Sequence, residues 1–229
     1  MKLQFVFIML LSVYSVVAMD VAPIDFHADS DLKSRALQKI ERALFYSDPK
    51  EFKSIVQVNQ AGIDELMQGE YTPLVCAVFK GDVPKVKILL ECKADPNAQD
   101  KYGFSPVMVA AKMGDPELID VLVNAGARVD TRNNDGHTPL LLAILSQQDE
   151  AAQCLLRHRA DPNMATNEGN SPLYVHMVVS KYKMASVVSA LLDAGADKSA
   201  MNSSGQTAAD FSSRENILKL FERDGFDLD

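Results

Sequence analysis

Three cysteines and four histidines are among the side chains of this 229-residue chain that could bind a metal ion or act as a nucleophile. Cys76, Cys92 and Cys154 are an odd number, with no C-x-x-C spacing and no recognisable pairing with histidine. The pattern therefore predicts neither a disulfide framework nor a zinc site, and no metal is expected. We expect buried free thiols, because Cys76 and Cys154 fall at apolar helix positions that are too far apart for a disulfide.

No catalytic motif is found in the sequence. His27, His137, His158 and His176 occupy unrelated positions, and no H-E-x-x-H, G-x-S-x-G, phosphate loop or dinucleotide fingerprint occurs. The acidic residues are scattered, so no pair of carboxylates is held for acid–base work. The sequence predicts that the protein is not an enzyme and needs no cofactor, and it favours a surface contact over a catalytic base at His137.

The strongest pattern is a repeat of 33 residues, marked by a hydroxyl residue, a proline and an aliphatic residue. The hydroxyl can cap a helix, and proline suits the first helical turn, where no backbone N–H is needed. A glycine two residues before such a mark can supply the positive φ of a hairpin, as at Gly103 and Gly136. The four marks are Thr72-Pro73-Leu74, Ser105-Pro106-Val107, Thr138-Pro139-Leu140 and Ser171-Pro172-Leu173.

At these residues the chain resembles the ankyrin-repeat family, whose unit of about 33 residues carries a T-P-L-x-x-A signature. The resemblance implies an all-α fold, an ankyrin-repeat solenoid of helix-turn-helix units with hairpin loops, in which each repeat covers its neighbour's apolar face. The chain is similar in particular to the exported, periplasmic ankyrin proteins of bacteria. The implied organisation is a signal peptide at 1–18, a short segment at 19–30, an N-terminal capping repeat at 31–68, four repeats at 69–101, 102–134, 135–167 and 168–203, and a C-terminal capping repeat with a tail at 204–229.

The two ends and the fourth repeat depart from the regular unit. Amphipathic patterns predict helices over 32–46 and 49–58 upstream, and over 207–211 and 215–223 downstream. The fourth repeat is three residues longer than the others, with the extra length around Lys181, Tyr182 and Lys183. Such an insertion lies at one edge of a repeat protein, where it is either a partner contact or a tolerated surface loop.

Ankyrin proteins bind partners through a concave face of hairpin tips and first helices, so the resemblance implies which positions contact a partner. Four aromatic residues on this face, Tyr71, Phe79, Tyr102 and Phe104, form a candidate hot spot. The alternative is that the two phenylalanines pack on their own hairpins. The implied partner-binding residues are Tyr71, Phe79, Lys80, Lys101, Tyr102, Phe104, Lys112, Met113, Asn134, Asp135, His137, Leu145, Asn167, Glu168, Asn170 and Val178.

The first 18 residues predict export. Lys2 precedes an uncharged apolar stretch that ends at Ala18 and is too short for a membrane-spanning helix, which is the layout of a secretory signal peptide. No other segment could span a membrane, and we expect the mature chain in the periplasm. The net charge of -8 of the full sequence argues against nucleic acid and anionic lipid as partners, and it either favours a basic partner or simply keeps the protein soluble.

These features predict a non-enzymatic protein-binding module of the bacterial cell envelope, monomeric when unbound. The leading hypothesis is that it binds and inhibits a periplasmic enzyme, such as a peptidoglycan hydrolase or endopeptidase, in a self-protection or immunity role. One alternative is a periplasmic scaffold that supports an oxidative-defence enzyme such as catalase. Another is a secreted effector directed at a host.

Overall fold

The computed structural model describes residues 28–67, 70–179 and 185–211. The predicted signal peptide, the insertion at Lys181, Tyr182 and Lys183, and the predicted helix at 215–223 lie outside these ranges. The described residues form ten α-helices and no β-strand, which confirms the all-α fold class. The chain divides into the units Met1–Asp31 and Leu32–Asp229, and every contact given below lies within the second. The helices are α1 (Ala28–Tyr46), α2 (Pro49–Val58), α3 (Pro73–Phe79), α4 (Val83–Glu91), α5 (Pro106–Met113), α6 (Pro116–Asn124), α7 (Pro139–Leu145), α8 (Asp149–Arg157), α9 (Pro172–Val179) and α10 (Ala185–Asp193).

The helices from α3 onward alternate between two rows. In the inner row, α3, α5, α7 and α9 pack side by side, and each packs on the outer helix that follows it in the chain. In the outer row, α2 packs on α4, α6 packs on α8, and α8 packs on α10. Contacts between neighbouring units therefore hold the stack together, as expected for a solenoid.

Each inner helix begins at the proline of its repeat mark, as the sequence predicts. The hydroxyls of Thr72, Thr138 and Ser171 each accept a hydrogen bond of 3.2 Å from the backbone N–H three residues later, which confirms the predicted caps. Ser105 is the exception, because it makes no such cap bond and its buried hydroxyl lies 3.4 Å from Thr131 Oγ1.

The core lies between the two rows. Leu74 and Leu140 of the inner row and Leu89 and Leu122 of the outer row are almost completely buried. Burial of each such side chain contributes roughly 1.5–3 kcal/mol. One helix pair alone cannot cover these side chains, so neighbouring units supply the missing contacts.

The turn between an inner helix and its outer helix uses a left-handed residue. Gly81 and Gly114 have φ values of 68° and 79°, and Gln147 takes the same conformation with φ 56° in the next unit. A side chain in this region costs about 1–2 kcal/mol. The Gln147-Gln148 turn thus keeps the left-handed backbone conformation of the two glycine turns although it contains no glycine.

A second set of hydrogen bonds ties successive units beyond the outer helices. Asn97 Oδ1 accepts from the Arg128 N–H, and Asn163 Oδ1 accepts from the Asp197 N–H, each at 2.8 Å. The bonded residues are 31 positions apart in the first case and 34 in the second. The last described unit thus carries three additional residues between equivalent contacts.

The described ends of the stack match their predicted elements only in part. Helix α1 extends to Ala28, four residues before the predicted start at 32, whereas α2 has its predicted bounds. The buried Lys85 Nζ donates to the Leu44 carbonyl at 2.9 Å and joins α1 to α4. A 3-10 helix, Ala209–Phe211, stands where a shortened helix is predicted. None of the helices described here is both long and apolar enough to cross a lipid bilayer.

Candidate protein-binding face

The hairpins between units are shaped by a side-chain acceptor five residues before the next inner-helix mark. Asp100 Oδ1 accepts hydrogen bonds of 2.8 Å from the N–H groups of both Tyr102 and Phe104. These acceptors were not predicted from the sequence, although Asp, Asn or Thr recurs there with the period of the repeat. The equivalent N–H pairs are bound at 2.8–3.3 Å in the next three hairpins by Asn133, Thr166 and Asn202.

Neighbouring hairpins are also bonded to one another. The Asn134 N–H donates to the Tyr102 carbonyl at 3.2 Å, and the Asn134 side-chain amide donates to the Lys101 carbonyl at 3.1 Å. The Asn167 side-chain amide likewise donates to the preceding hairpin, to the Asp135 carbonyl at 3.1 Å. Asn134 and Asn167, which the resemblance implies are partner contacts, are exposed but already bind the preceding hairpin. Their role within the chain is to fix the relative position of the hairpin tips.

Two tyrosines predicted for the same surface have different environments. Tyr102 is 41% exposed, and its ring lies 6.3 Å from that of Tyr71, measured between centroids. Tyr71 is only 7% exposed, and burial raises its pKa to about 12. The expectation that Tyr71 is a surface contact is therefore wrong, because its ring packs beneath Tyr102 and supports it. Lys101 lies over the Tyr102 ring at 4.9 Å and forms an ion pair with Glu70, whose hydrogen bond raises the pKa of Lys101.

Two further lysines predicted for this surface lie against aromatic rings. Lys80 Nζ is 3.8 Å from the Phe45 ring centroid, and Lys112 Nζ is 5.3 Å from that of Phe104. Burial lowers the pKa of both lysines. Phe79 and Phe104 are half-buried, so each contributes part of its surface to packing within the chain. Lys80 and Lys112 are thus basic side chains that lie against aromatic rings, at the C-terminal ends of the inner helices α3 and α5.

An apolar row runs along the inner helices at their C-terminal ends. Met113, Leu145 and Val178 occupy the last turns of α5, α7 and α9 and are 39%, 39% and 48% exposed. These helices pack side by side, and the three residues lie seven or eight positions after the start of their repeat marks, where the resemblance implies partner contacts. We call Tyr102 together with this row the inner face.

The remaining predicted contacts are polar and lie in the hairpins. Asp135 and Glu168 are exposed, whereas His137 and Asn170 are half-buried. The Asn170 amide donates to Glu168 Oε2 at 3.1 Å, and its Oδ1 accepts from the Asn202 amide at 3.0 Å. These groups border the inner face and are positioned by bonds within the chain.

The outer side has a different surface. Of the described residues in α4, α6 and α8, no large hydrophobic side chain is exposed. Pairs of ionisable side chains instead join successive outer helices, and because these side chains are at least partly exposed, each pair contributes little to stability. The pairs are Lys53–Glu91 at 2.7 Å, Lys87–Glu117 at 4.0 Å and His158–Asp120 at 2.6 Å.

All three cysteines are free and buried, which confirms the predicted burial. Burial raises the pKa of the Cys154 thiol to about 11, and the neighbouring Asp120 carboxylate adds to the shift. The Cys154 Sγ donates to Asp120 Oδ1 at 3.3 Å, and the hydrogen bond from His158 lowers the pKa of Asp120. These three side chains form a group that could hold a metal ion, and this grouping was not predicted. The signal was the spacing of four residues between Cys154 in α8 and His158 directly after the end of that helix, which brings the two side chains to the same side.

Comparison with known families gives the class of this protein. A family model described as ankyrin repeats, in three copies, matches residues 42–133, 74–166 and 107–202. These matches run from residue 42 to residue 202 and cover more than half of the 229 residues, so the chain belongs to the ankyrin-repeat family. No curated protein matches the chain. Ankyrin-repeat proteins are in general non-enzymatic protein-interaction modules, and the chain therefore carries a protein-binding module.

Proposed function

We propose that the inner face binds another protein, that this partner is an enzyme of the bacterial cell envelope, and that binding inhibits it. In this proposal the exported chain protects its own cell from an enzyme such as a peptidoglycan hydrolase. The proposal combines the protein-binding module with the predicted signal peptide, which would place that module in a compartment where wall-cutting enzymes work.

The observation that carries the proposal is the one-sided distribution of exposed apolar side chains. In the described central units, Tyr102, Met113, Leu145 and Val178 are exposed on the hairpin side, and the outer helices α4, α6 and α8 expose no side chain of this kind. Leaving such groups in water provides no folding energy, and apolar side chains clustered on one surface are typical of protein interfaces. Tyrosine and methionine are among the residues enriched there.

Preorganisation supports binding through this face. The hydrogen bonds of Asn134 and Asn167 to the preceding hairpins fix the tips relative to one another. The inner helices that carry the apolar row are packed against both neighbours. A partner therefore meets a surface that is already ordered, which lowers the entropic cost of association.

The charges of the inner side indicate what the partner surface should offer. Lys80 and Lys112 lie beside the inner face in a chain whose net charge is -8. Whereas the exposed Asp135 and Glu168 of the later hairpins would face basic groups, complementarity to Lys80 and Lys112 calls for an apolar patch bordered by acidic groups. An apolar substrate cleft with acidic catalytic residues has this character.

Affinity capture from envelope extract tests the binding proposal. The immobilised wild-type chain should retain a partner that a triple variant, Met113→Ala, Leu145→Ala and Val178→Ala, loses by at least about tenfold, because several interface anchors are truncated together. The matched control is Lys87→Ala, Glu117→Ala and Glu150→Ala on the outer helices, which should retain the partner fully.

The inhibition proposal has a separate readout. When the captured enzyme is saturated with the wild-type chain, its hydrolytic activity should fall, and the inner-face triple variant at the same concentration should leave it active. Full activity of a saturated enzyme would eliminate inhibition while leaving the binding face in place. Equal capture by all three chains would eliminate the face itself.

A further inference from the structure

A mixed cluster of metal-binding side chains lies on the outer side, away from the inner face. Asp120 is on α6, and Cys154 and His158 are on or at the end of α8, four residues apart. One possible ligand atom from each residue lies within 4.8 Å of the other two. The Nε2 of His158 is 2.6 Å from Asp120 Oδ1, and the Cys154 Sγ is 3.3 Å from the same oxygen.

The three donor types suit a tetrahedral zinc ion. Zinc binds cysteine sulfur at about 2.3 Å, histidine nitrogen at about 2.0–2.1 Å and carboxylate oxygen at about 2.0–2.2 Å. Tetrahedral angles with these bond lengths separate ligand atoms by roughly 3.3–3.7 Å. The separation between sulfur and oxygen is already 3.3 Å, so the main adjustment is an opening of the contact between His158 and Asp120 by less than about 1 Å.

The surroundings allow that adjustment. The Asp120 side chain is about half exposed and the His158 side chain about a quarter exposed, so both can rotate and an ion can approach from solvent. Cys154 is buried beneath them, with its sulfur already directed at the carboxylate. The other charged pairs between described outer helices, Lys53–Glu91 and Lys87–Glu117, contain a lysine in place of a ligand and offer no such set.

We propose that Asp120, Cys154 and His158 bind one zinc ion, which links the outer helices of two successive repeats. Binding removes the thiol proton from Cys154 and releases it to solvent, and His158 binds the ion through Nε2 with its remaining proton on Nδ1. Water completes the four ligands. The ion would replace the hydrogen bond between His158 and Asp120 by three metal–ligand bonds and so stabilise the junction between α6 and α8.

Direct metal titration tests the site. The reduced, metal-free full chain should retain one zinc ion per chain after gel filtration and should show a higher unfolding temperature with zinc, because the ion binds the folded state. With Co²⁺ as the probe it should develop the absorption of a tetrahedral cobalt–thiolate complex. His158→Gln and Asp120→Asn should each weaken metal binding at least about tenfold, and Cys154→Ser should abolish the thiolate absorption.

Cys92→Ser is the matched control, because Cys92 is also buried but belongs to no such cluster among the described residues. It should bind zinc as the wild type does. Should Cys154→Ser unfold, His158→Gln still decides the question, since that side chain is partly exposed and far-UV circular dichroism can verify its fold. Failure of the wild type to retain zinc would overturn the site, as would equal affinity in His158→Gln and the wild type. Neither result bears on the inner face, which lies on other residues.

Discussion

The inner face and the outer helices share one buried core but expose different chemistry. On the inner side, Met113, Leu145 and Val178 repeat an exposed apolar residue along three neighbouring helices. On the outer side, the links between neighbouring helices are charged pairs such as Lys53–Glu91. The fold of the stack depends on its buried side chains, so the exposed side chains can differ in chemistry between the two sides. No large hydrophobic side chain is exposed among the described residues of α4, α6 and α8, so the exposed apolar groups of these central units lie on the inner side, where we propose that the partner binds.

The largest expected effect is a difference in stability between a core variant and an inner-face variant of the same helix. On α7, Leu141 is completely buried and Leu145 is 39% exposed. Leu141→Ala should lower the free energy of unfolding by about 2–5 kcal/mol, because it leaves a cavity. Leu145→Ala should cost less than about 1 kcal/mol, as expected for a surface site. Urea denaturation measures both, and comparable losses would show that Leu145 belongs to the core and not to the inner face.

A smaller effect is expected for the hairpins that order the inner side. Gly136 has a φ of 80°, and a Cβ added there would lie 2.3 Å from Asn167 Oδ1. Gly205 occupies the equivalent place in its hairpin with a φ of 74°, but a Cβ added there would meet no atom within 4 Å. Both Gly→Ala variants should lose about 1–2 kcal/mol through the strained backbone. Gly136→Ala should lose more, because Asn167 must move and its bond to the Asp135 carbonyl is disturbed. Equal losses in denaturant unfolding would argue that contacts between hairpins do not stabilise the stack.

The turn at Gln147 predicts a gain in stability. Its left-handed φ of 56° is strained for a side chain, and the equivalent residues of the two preceding units are glycines. Gln147→Gly should raise the free energy of unfolding by about 0.5–1 kcal/mol, after allowing for the greater freedom of glycine in the unfolded chain. Gln148→Gly is the control, since Gln148 has a φ of -101° and should lose stability. Thermal unfolding should show a higher unfolding temperature for Gln147→Gly and a lower one for Gln148→Gly. A lower unfolding temperature in both variants would contradict the proposed backbone strain at Gln147.

The smallest effect concerns the pH dependence of one hairpin. Burial raises the pKa of Asp100 above its ordinary value, and the N–H groups of Phe104 and Tyr102 offset part of that shift. A carboxyl whose pKa is higher in the folded state favours folding most when protonated, so its contribution falls as the pH rises through the folded pKa. Relative to Asp100→Asn, the wild type should therefore gain stability between pH 7 and pH 4. A relative loss of wild-type stability on acidification would contradict the assigned direction.

The repeat marks predicted the inner helices because a capping hydroxyl and a proline act within a single turn. The starts of α3, α5, α7 and α9 followed from local chemistry of this kind. The start of α1 was missed because residues 28–31 are mostly polar and small and give no amphipathic signal. The Gln147 turn was visible as a departure, but only the structure shows that the backbone stays unchanged there.

The candidate site was less predictable because it depends on contacts between units. The position of Tyr71 in the repeat suggested exposure, but its ring is buried, and its centroid lies 6.3 Å from that of Tyr102, which is 31 residues later in the chain. Asn134 and Asn167 carry side chains typical of surface contacts, yet their amides bind the preceding hairpins. Asp120 and Cys154 are 34 residues apart, and their contact depends on the exact offset between α6 and α8.

Photo-cross-linking most directly tests the central claim that the protein binds its partner through the inner face. A photoreactive amino acid would replace Leu145 in one chain and Glu150, exposed on the adjacent outer helix α8, in another. After illumination in envelope extract, the chain labelled at 145 should form a covalent adduct with the partner, and the chain labelled at 150 should not. An adduct formed from position 150 but absent from position 145 would contradict the account.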